Sequence, residues 1–151
     1  MTRVGVLSDT HGLLRPEVIK HLQGSDLIIH AGDIGSETII PELGKIAPVY
    51  AVRGNVDKST WAYKFPLTNV VQIGETFIYL YHGHLELDLT PDQHFQIVIS
   101  GHTHVPLVEK RNDVLYLNPG SAGYKRFSLP VSMARIEVDD TNLTAKLVTL
   151  G

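Results

Sequence analysis

Short apolar runs rich in Val, Ile and Tyr recur along the whole chain, and each is closed by Gly, Asp, Asn or His. Runs of this length and composition are typical of β-strands, and the closing residues are typical of turns. The pattern therefore predicts ten strands, which are Arg3–Leu7, Leu27–His30, Val49–Val52, Val70–Ile73, Thr76–Tyr81, Ile97–Ser100, Pro106–Glu109, Val114–Leu117, Ser132–Val138 and Leu143–Thr149.

Two helical segments lie between the first three predicted strands. Pro16–Gln23 begins with a proline, which is favoured at the first helical position, and Glu37–Ile46 follows Ser36, a residue type favoured at the N-cap. Because Pro41 lies inside the second segment, we expect that helix to begin late or to bend.

The two halves of the chain connect their strands differently. The strand–helix–strand–helix–strand order of the first half implies parallel neighbours. In the second half, turn-rich connections at 73–76, 109–114 and 138–143 predict hairpins. We therefore expect an α/β fold, a four-layer αββα sandwich of two mixed β-sheets flanked by helices. At this length, residues 1–151 are expected to form a single domain.

The charge balance and the residue types exclude several classes of function. With 13 Lys+Arg against 16 Asp+Glu, the formal net charge is -3, which argues against general nucleic-acid binding. The chain has no Cys, which excludes disulfides, thiolate zinc sites and cysteine nucleophiles. Any metal or acid–base chemistry must come from other residue types, and eight His are available.

Membrane partners are not expected. The apolar runs fall far below the ~20 residues of a membrane-spanning helix. The apolar stretch at the start of the chain is too short for a signal-peptide core. We therefore expect a cytoplasmic protein.

Polar residues collect where the predicted strands end. The segments are Asp9-Thr-His11, His30-Ala-Gly-Asp33, Arg53-Gly-Asn55-Val-Asp57, His82-Gly-His84, Gly101-His102-Thr-His104 and Asn118-Pro-Gly-Ser121. Because ligands bind beyond the carboxyl ends of strands in α/β sheets, these segments are expected to converge on one site. In an extended backbone, residues two apart project to the same side, so Asp9 and His11 could reach one ion. His102 and His104 could reach the same ion or a neighbouring pair.

The available ligand types narrow the choice of metal. Carboxylate, imidazole and amide ligands without thiolate suit Mn²⁺, Fe²⁺, Co²⁺, Ni²⁺ or Zn²⁺. The residues themselves do not choose among these ions, and Mn²⁺ is our first expectation.

Six motifs, taken in order along the chain, resemble those of the calcineurin-like metallophosphoesterase superfamily. They are Asp9-x-His11, Gly32-Asp33, Gly54-Asn55-x-Asp57, His82-Gly-His84, Gly101-His-x-His104 and Asn118-Pro-Gly-Ser121. Within that superfamily the chain is similar to the small single-domain phosphodiesterases of bacteria and archaea, of which the small subunit of retromer is a eukaryotic relative. The resemblance extends from Arg3 to about Arg126.

The resemblance implies a site for two divalent metal ions. One ion would be held by Asp9, His11 and His104, the other by Asn55, His82 and His102, and Asp33 would bridge them. A hydroxide between the ions would then attack phosphorus, which gives Asp33 and Asn55 a catalytic role. Spacing alone leaves His84 as able as His82 to face the ions. The family pattern favours His82, so His84 is expected to be a catalytic or substrate-contacting residue.

The resemblance also implies a substrate class and shows one departure. Two divalent ions offset by two carboxylates and a hydroxide leave roughly one positive charge, which suits a phosphodiester monoanion but would also attract a monoester dianion, so charge alone does not decide between them. Many members carry a histidine between the Asn and the Asp of the third motif, where it protonates the leaving group. This chain has Val56 there. We therefore expect activated aryl phosphodiesters to be cleaved much better than alkyl monoesters.

Several polar residues have two possible roles. Arg53 and Arg126 are predicted to contact substrate. Arg53 could instead pair with a nearby carboxylate, and Arg126, with its neighbour Lys125, could instead lie in a solvated turn. His30 is expected to form hydrogen bonds near Asp33 without binding metal. Asp57 is expected to cap or brace its turn, because its usual imidazole partner is absent.

Other functions stay open at this point. The leading hypothesis is a dinuclear metal-dependent phosphodiesterase acting on a small substrate, and homo-oligomerisation is possible. The first alternative is a protein-interaction scaffold with a vestigial metal pocket. All seven matched positions keep side chains that can bind metal, which favours an enzyme, whereas Val56 keeps the scaffold in consideration. The second alternative, a metal-dependent phosphomonoesterase, differs only in substrate.

Overall fold

A computed structural model describes residues 1–85 and 94–150. Ten strands are present in the described residues: β1 Thr2–Leu7, β2 Leu27–His30, β3 Val49–Ala51, β4 Thr68–Ile73, β5 Thr76–Tyr81, β6 Ile97–Ile99, β7 Leu107–Arg111, β8 Val114–Asn118, β9 Ser132–Asp139 and β10 Asn142–Thr149. The helices are α1 Pro16–Leu22, α2 Ile39–Gly44 and a 3-10 helix, Thr60–Lys64. The predicted single-domain span includes residues 86–93 and 151, which lie outside the described residues.

The strands form two mixed sheets of five strands each. The first has the order β10-β9-β1-β2-β3 and the second β4-β5-β6-β8-β7. In the first sheet β1, β2 and β3 are parallel, and β9 and β10 form an antiparallel hairpin. In the second sheet β5, β6 and β8 are parallel, with hairpins joining β4 to β5 and β7 to β8. The predicted pair of mixed sheets and its three hairpins are confirmed.

Alternation along β1 separates two apolar clusters. Val4 and Val6 are fully buried in a cluster that contains residues of both sheets and fills the space between them. Leu7 belongs to the second cluster, where Val18 and Leu22 of α1 and Leu43 of α2 pack against the first sheet. The helices thus cover the outer face of the first sheet, as predicted for a sandwich with helices outside.

Helix α2 begins late, as Pro41 led us to expect. Its first residue is Ile39, so Pro41 lies in the first turn, where a missing backbone N–H leaves no helical hydrogen bond unmade. The prediction of Ser36 as the N-cap was wrong, because the N-cap position is Thr38 and carries no side-chain capping bond. Ser36 Oγ instead lies 3.0 Å from Thr38 Oγ1 in the preceding turn.

No helix in residues 1–85 and 94–150 is long and apolar enough to cross a membrane.

Candidate metal centre

The loops after β1 and β2 are held side by side by backbone hydrogen bonds. The N–H of Asp9 donates to Gly32 O at 2.9 Å, and the N–H of His11 donates to Asp33 O at 2.9 Å. These bonds continue the pairing of the two parallel strands beyond their carboxyl ends. They place Asp9, His11 and Asp33 at one edge of the first sheet.

Asp9, His11 and His104 form the first group of converging ligand atoms. Asp9 Oδ1 lies 3.7 Å from His11 Nε2 and 3.3 Å from His104 Nε2. The Asp9 side chain is fully buried, and His104 follows β6 of the second sheet. The three side chains predicted to hold one ion are therefore brought together from both sheets.

Asp33, His82 and His102 form the second group. Asp33 Oδ2 lies 3.1 Å from His82 Nε2 and also 3.6 Å from His11 Nε2 of the first group. One carboxylate oxygen thus faces both groups, as a bridging ligand would. Asn55 joins the second group, since its Oδ1 lies 3.2 Å from His102 Nδ1.

Most of the buried polar atoms that lack a partner in hydrogen-bonding geometry belong to these two groups. In the described part of the chain four of them are Asp9 Oδ1, His11 Nε2, His82 Nε2 and His104 Nδ1, and the fifth is Nδ1 of His84, which lies outside both groups. Buried polar atoms in folded proteins nearly always have a partner, so such a set calls for an explanation. Carboxylate oxygens and imidazole nitrogens directed at a common centre fit divalent metal ions.

Hydrogen bonds orient the Asp9 and His82 side chains through the atom of each that does not face the other ligands. Asp9 Oδ2 accepts from Ser8 Oγ at 2.7 Å and from the N–H of His102 at 3.1 Å, which leaves Oδ1 directed at the imidazoles. The Nδ1–H of His82 donates to Ala31 O at 2.7 Å, which leaves Nε2 as the free ligand atom. The sequence analysis missed the role of Ser8, whose only signal is a hydroxyl immediately before Asp9.

The electrostatics of the two groups favour carboxylates that stay ionised. Burial alone would raise the pKa of Asp9, but the imidazoles of His104, His11 and His82 and the Ser8 hydroxyl hold that pKa well below its usual range. Burial would also raise the pKa of Asp33. The interaction with His82 is stronger than this effect, so the pKa of Asp33 is lowered. Negative charge is therefore fixed where a cation would bind.

The pKa values of His11 and His82 are shifted in the opposite direction. The Asp9 carboxylate raises the pKa of His11 against the effect of burial. Burial lowers the pKa of His82, but the Asp33 and Asp9 carboxylates outweigh it, so that its pKa is raised. Metal binding requires both imidazoles to be neutral, since only neutral imidazole is a ligand.

The backbone at the ligands differs from the predicted extended geometry. Five of the seven predicted metal ligands have positive φ angles: Asp9 56°, His11 48°, Asp33 54°, His102 70° and His104 64°. Residues two apart do come together as predicted, but the extended backbone that we gave as the reason was wrong. Left-handed turns aim these side chains inward, at a cost on the order of 1 kcal/mol for each residue.

Asp57 holds the loop after β2 against the loop after β3. Its carboxylate accepts backbone N–H groups from Ile34 at 3.0 Å, Gly35 at 3.0 Å and Gly54 at 2.9 Å. Asp57 is buried, and these three bonds account for the bracing role predicted for it. A side chain at Gly54 would collide with the Asp33 carboxylate, so only glycine allows the two loops to approach this closely.

His30 is a buried neutral imidazole below the site. Its Nδ1 accepts the N–H of Gly32 at 3.1 Å, so the ring proton is on Nε2, which donates to Thr10 Oγ1 at 3.0 Å. Thr10 Oγ1 in turn donates to Ile34 O at 2.8 Å. Complete burial lowers the pKa of His30 to about 4. Its contacts are those predicted for a supporting residue near Asp33.

The remaining predicted site residues lie at different places. The ring of His84 is centred 5.4 Å from that of His82 and 6.3 Å from that of His102, which puts it beside the second group. Arg126 lines a cleft with His11 and His104. The guanidinium of Arg53 instead donates to Phe65 O at 2.5 Å and lies over the Tyr63 ring, contacts that favour a packing role.

Comparisons with known proteins identify the family of the chain. Residues 2–141 match the model of the calcineurin-like phosphoesterase superfamily domain. A protein of Methanothermobacter thermautotrophicus named as a probable metallophosphoesterase is 34% identical, with 98% of this chain and 92% of the relative covered. The phosphodiesterase YfcE of Escherichia coli is 28% identical, with 96% and 92% covered.

A solved structure shows the same fold. Vps29 of Entamoeba histolytica, crystallised in complex with Zn²⁺, has a TM-score of 0.74 at 23% identity, covering 98% of this chain and 99% of the other. The family match spans most of the chain and includes every predicted metal ligand. The chain therefore belongs to the calcineurin-like phosphoesterase superfamily, and the curated relatives that it matches are named as metallophosphoesterases and phosphodiesterases.

Proposed function

We propose that this protein is a dinuclear metal-dependent phosphodiesterase that works without a histidine general acid. The observation that carries the proposal is the convergence of unpartnered buried atoms from two ligand groups, with Asp33 facing both. When bound, two divalent ions polarise a phosphoryl oxygen and lower the pKa of a water molecule that serves as the nucleophile.

The residues of the two groups fit such a pair of ions. Asp9, His11 and His104 would hold one, while Asn55, His82 and His102 would hold the other, with Asp33 shared between them. The set contains oxygen and nitrogen ligands only, which suits Mn²⁺, Ni²⁺, Co²⁺, Fe²⁺ or Zn²⁺. Mn²⁺ is the first ion to test.

The chain's own residues would position the substrate beside this centre. Arg126 is exposed and lines the cleft next to His11, where its guanidinium can pair with a phosphate oxygen. His84 lies beside His82 and His102, and burial together with these two neighbours lowers its pKa. A neutral His84 imidazole could donate a hydrogen bond to the phosphoryl group.

The absence of an acid at position 56 defines the preferred leaving group. The side chain of Val56 is 47% exposed and has no proton to give. A leaving group that departs without protonation, such as a nitrophenolate, suits this site better than an alkoxide does. We therefore propose aryl phosphodiesters as the best small test substrates.

Metal reconstitution tests the proposal directly. The protein is stripped of metal with a chelator, reloaded separately with Mn²⁺, Ni²⁺, Co²⁺, Fe²⁺ or Zn²⁺, and assayed with bis(4-nitrophenyl) phosphate and 4-nitrophenyl phosphate. We expect turnover only after reloading, with the diester cleaved faster than the monoester. Faster cleavage of the monoester would instead identify a phosphomonoesterase.

The scaffold alternative predicts a different result. A protein-interaction scaffold with a vestigial pocket would bind two ions per chain and hydrolyse neither ester with any metal. The structural likeness to Vps29 concerns the fold alone and does not separate the two functions. Cytoplasmic location and homo-oligomerisation stay predictions from the sequence.

A further inference from the structure

The loop between β8 and β9 presents an exposed run of aromatic and basic residues beside the metal centre. Tyr124 is 61% exposed and Phe127 is 89% exposed, and Lys125 and Arg126 between them are exposed as well. Four consecutive exposed side chains of this kind contribute nothing to the core. Their position relative to the metal ligands decides whether they can take part in binding.

Tight packing fixes the base of this loop to the ligand Asp9. A side chain at Gly123 would collide with the backbone of Thr10, so the two segments are in direct contact. The Gly123 carbonyl accepts a hydrogen bond from Arg15 Nε at 2.8 Å, and Ser121 Oγ donates to Asp9 O at 3.2 Å. Tyr124 and the residues after it therefore start from a fixed point next to the first ligand group.

A cleft of about 290 Å³ separates the loop from that ligand group. It is lined by His11, His104, Tyr124, Lys125 and Arg126. Its volume is close to the lower end for small-molecule sites, about 300 Å³. One wall consists of predicted metal ligands, and the other of a phenol ring and two cationic side chains.

The charge in this cleft exceeds what a simple diester requires. Two bound ions with their carboxylates and a hydroxide would already balance a phosphodiester monoanion. Neither Lys125 nor Arg126 forms an ion pair with another residue of the described chain, so both charges are available to a ligand. A second phosphate group on the substrate would match them, since Arg and Lys are the side chains that proteins use to bind phosphate.

We propose that this cleft selects phosphodiesters whose retained ester group carries both an aromatic ring and a second phosphate, which is the chemistry of a nucleotide. The Tyr124 ring would stack on the aromatic group, and Lys125 and Arg126 would bind the second phosphate. This inference rests on the proposed phosphodiesterase function and names the substrate class of the same site.

Phe127 supplies a matched control for Tyr124. It belongs to the same loop and is more exposed, yet it does not line the cleft. Its φ angle of 54° is unusual for an aromatic residue. If any exposed aromatic ring on the loop could bind the substrate, removing the Phe127 ring and removing the Tyr124 ring would change kcat/KM equally.

The kinetic test uses substrates that share one leaving group. The Mn²⁺-loaded enzyme is assayed with bis(4-nitrophenyl) phosphate, with the 4-nitrophenyl ester of thymidine 5′-phosphate, and with that ester carrying an additional 3′-phosphate. We expect kcat/KM to be about tenfold or more higher for the 3′-phosphorylated ester than for the plain thymidine ester, with the advantage shrinking at high salt. Equal kcat/KM for the two thymidine esters would overturn the inference.

Single variants assign the effect to residues. Lys125→Ala should remove most of the increase in kcat/KM that the 3′-phosphate gives. The control is Lys146→Ala, which removes a lysine exposed on β10 and should leave that increase unchanged. Tyr124→Leu should lower kcat/KM for both thymidine esters about fivefold or more, because stacking on an aromatic side chain is lost, while Phe127→Leu should not. Equal effects within either pair would refute the assignment.

A binding measurement separates failure of this inference from failure of the proposed function. Thymidine 3′,5′-bisphosphate is titrated into the Mn²⁺-loaded protein and into its Mn²⁺-loaded Lys125→Ala variant by calorimetry. Weaker binding to the variant supports the proposed role of the cleft even if no ester is hydrolysed. Absence of hydrolysis together with this binding would refute only the proposed phosphodiesterase function. Hydrolysis of bis(4-nitrophenyl) phosphate without any binding of the bisphosphate would refute only the cleft.

Discussion

The backbone N–H of Val56 donates a hydrogen bond to Oδ1 of Asp33 at 3.1 Å. The residue at position 56 is thus attached through its main chain to the carboxylate that faces both ligand groups. Val56 is 47% exposed, so its side chain is accessible to solvent. The main-chain contact does not depend on the side chain, so position 56 can be varied without removing this bond to Asp33.

Replacement of Val56 by His should add a general acid. For diesters with alkyl leaving groups we expect Val56→His to raise kcat/KM by about 10²-fold, with little change for 4-nitrophenyl esters. The measurement is kcat/KM across leaving groups of increasing pKa, and Val56→Gln is the control without an acidic proton. Wild-type rates that do not fall as the leaving-group pKa increases would contradict the absence of an acid.

Asp33→Ala should abolish both metal binding and turnover, because Asp33 Oδ2 faces His11 and His82 at once. We expect bound metal to fall from about two ions per chain, counted by elemental analysis after dialysis. Asp139→Ala, which removes an exposed carboxylate at the end of β9, is the matched control. Activity that survives Asp33→Ala would overturn the assignment of the site.

Asp57→Asn should weaken the metal centre without removing a ligand. The amide group of Asn cannot accept three backbone N–H bonds, so the loops carrying Asp33 and Asn55 would separate. We expect metal affinity to fall about 10–100-fold and the free energy of unfolding to fall by about 1–3 kcal/mol.

A matched carboxylate serves as the control for Asp57. Asp26 Oδ2 also accepts a backbone N–H, that of Arg3 at 2.8 Å. Asp26 is exposed and lies at the amino end of β1, whereas the site lies at the carboxyl end. Metal titration followed by calorimetry should show no change in Asp26→Asn. Unchanged metal affinity in Asp57→Asn would show that the brace does not act on the centre.

His30 should make the stability of the protein fall in mild acid. Burial lowers its pKa from 6.5 in the unfolded chain to about 4 in the folded protein. Below pH 6.5 the unfolded chain binds a proton that the folded one does not. The stabilisation is therefore complete above pH 6.5 and is lost as the pH falls towards 4, a change on the order of 3 kcal/mol.

The measurement is the free energy of unfolding of metal-free protein against pH, compared with His30→Asn. Asn retains an acceptor for the Gly32 N–H but does not titrate, so its stability should depend less on pH between 4 and 6.5. Resonances of His30 followed by NMR should give the same low pKa. A pKa near 6.5 would contradict the neutral, hydrogen-bonded ring.

Much of the fold followed from local patterns. Short apolar runs predict the strands β1, β2 and β3, and the helical segments between them predict that these strands are parallel. The predicted bounds agree with the structure to within one residue. The prediction for Ser36 failed because a capping side chain competes with turn contacts that propensity does not describe. Here the hydroxyl of Ser36 approaches Thr38 and helix α2 starts later.

The composition of the site was predictable, but its geometry was not. The order of the motifs identified the residues that converge, including Asp33 and His104. The positive φ angles that direct them depend on contacts between loops from different strands, such as the bond from His11 to Asp33 O. The position of Tyr124 was missed for the same reason, since nothing in the local sequence places it in one cleft with His104.

The ligand groups draw on both sheets. Asp9, His11, Asp33 and Asn55 follow strands of the first sheet, whereas His82, His102 and His104 follow strands of the second. Each proposed ion would therefore act as a cross-link between the two layers of the sandwich at their open edge. An ion that binds only the folded chain adds about 2.7 kcal/mol to the free energy of unfolding when present at 100 times its Kd. Metal supply would then control how long the folded protein persists, in addition to whether it hydrolyses its substrate.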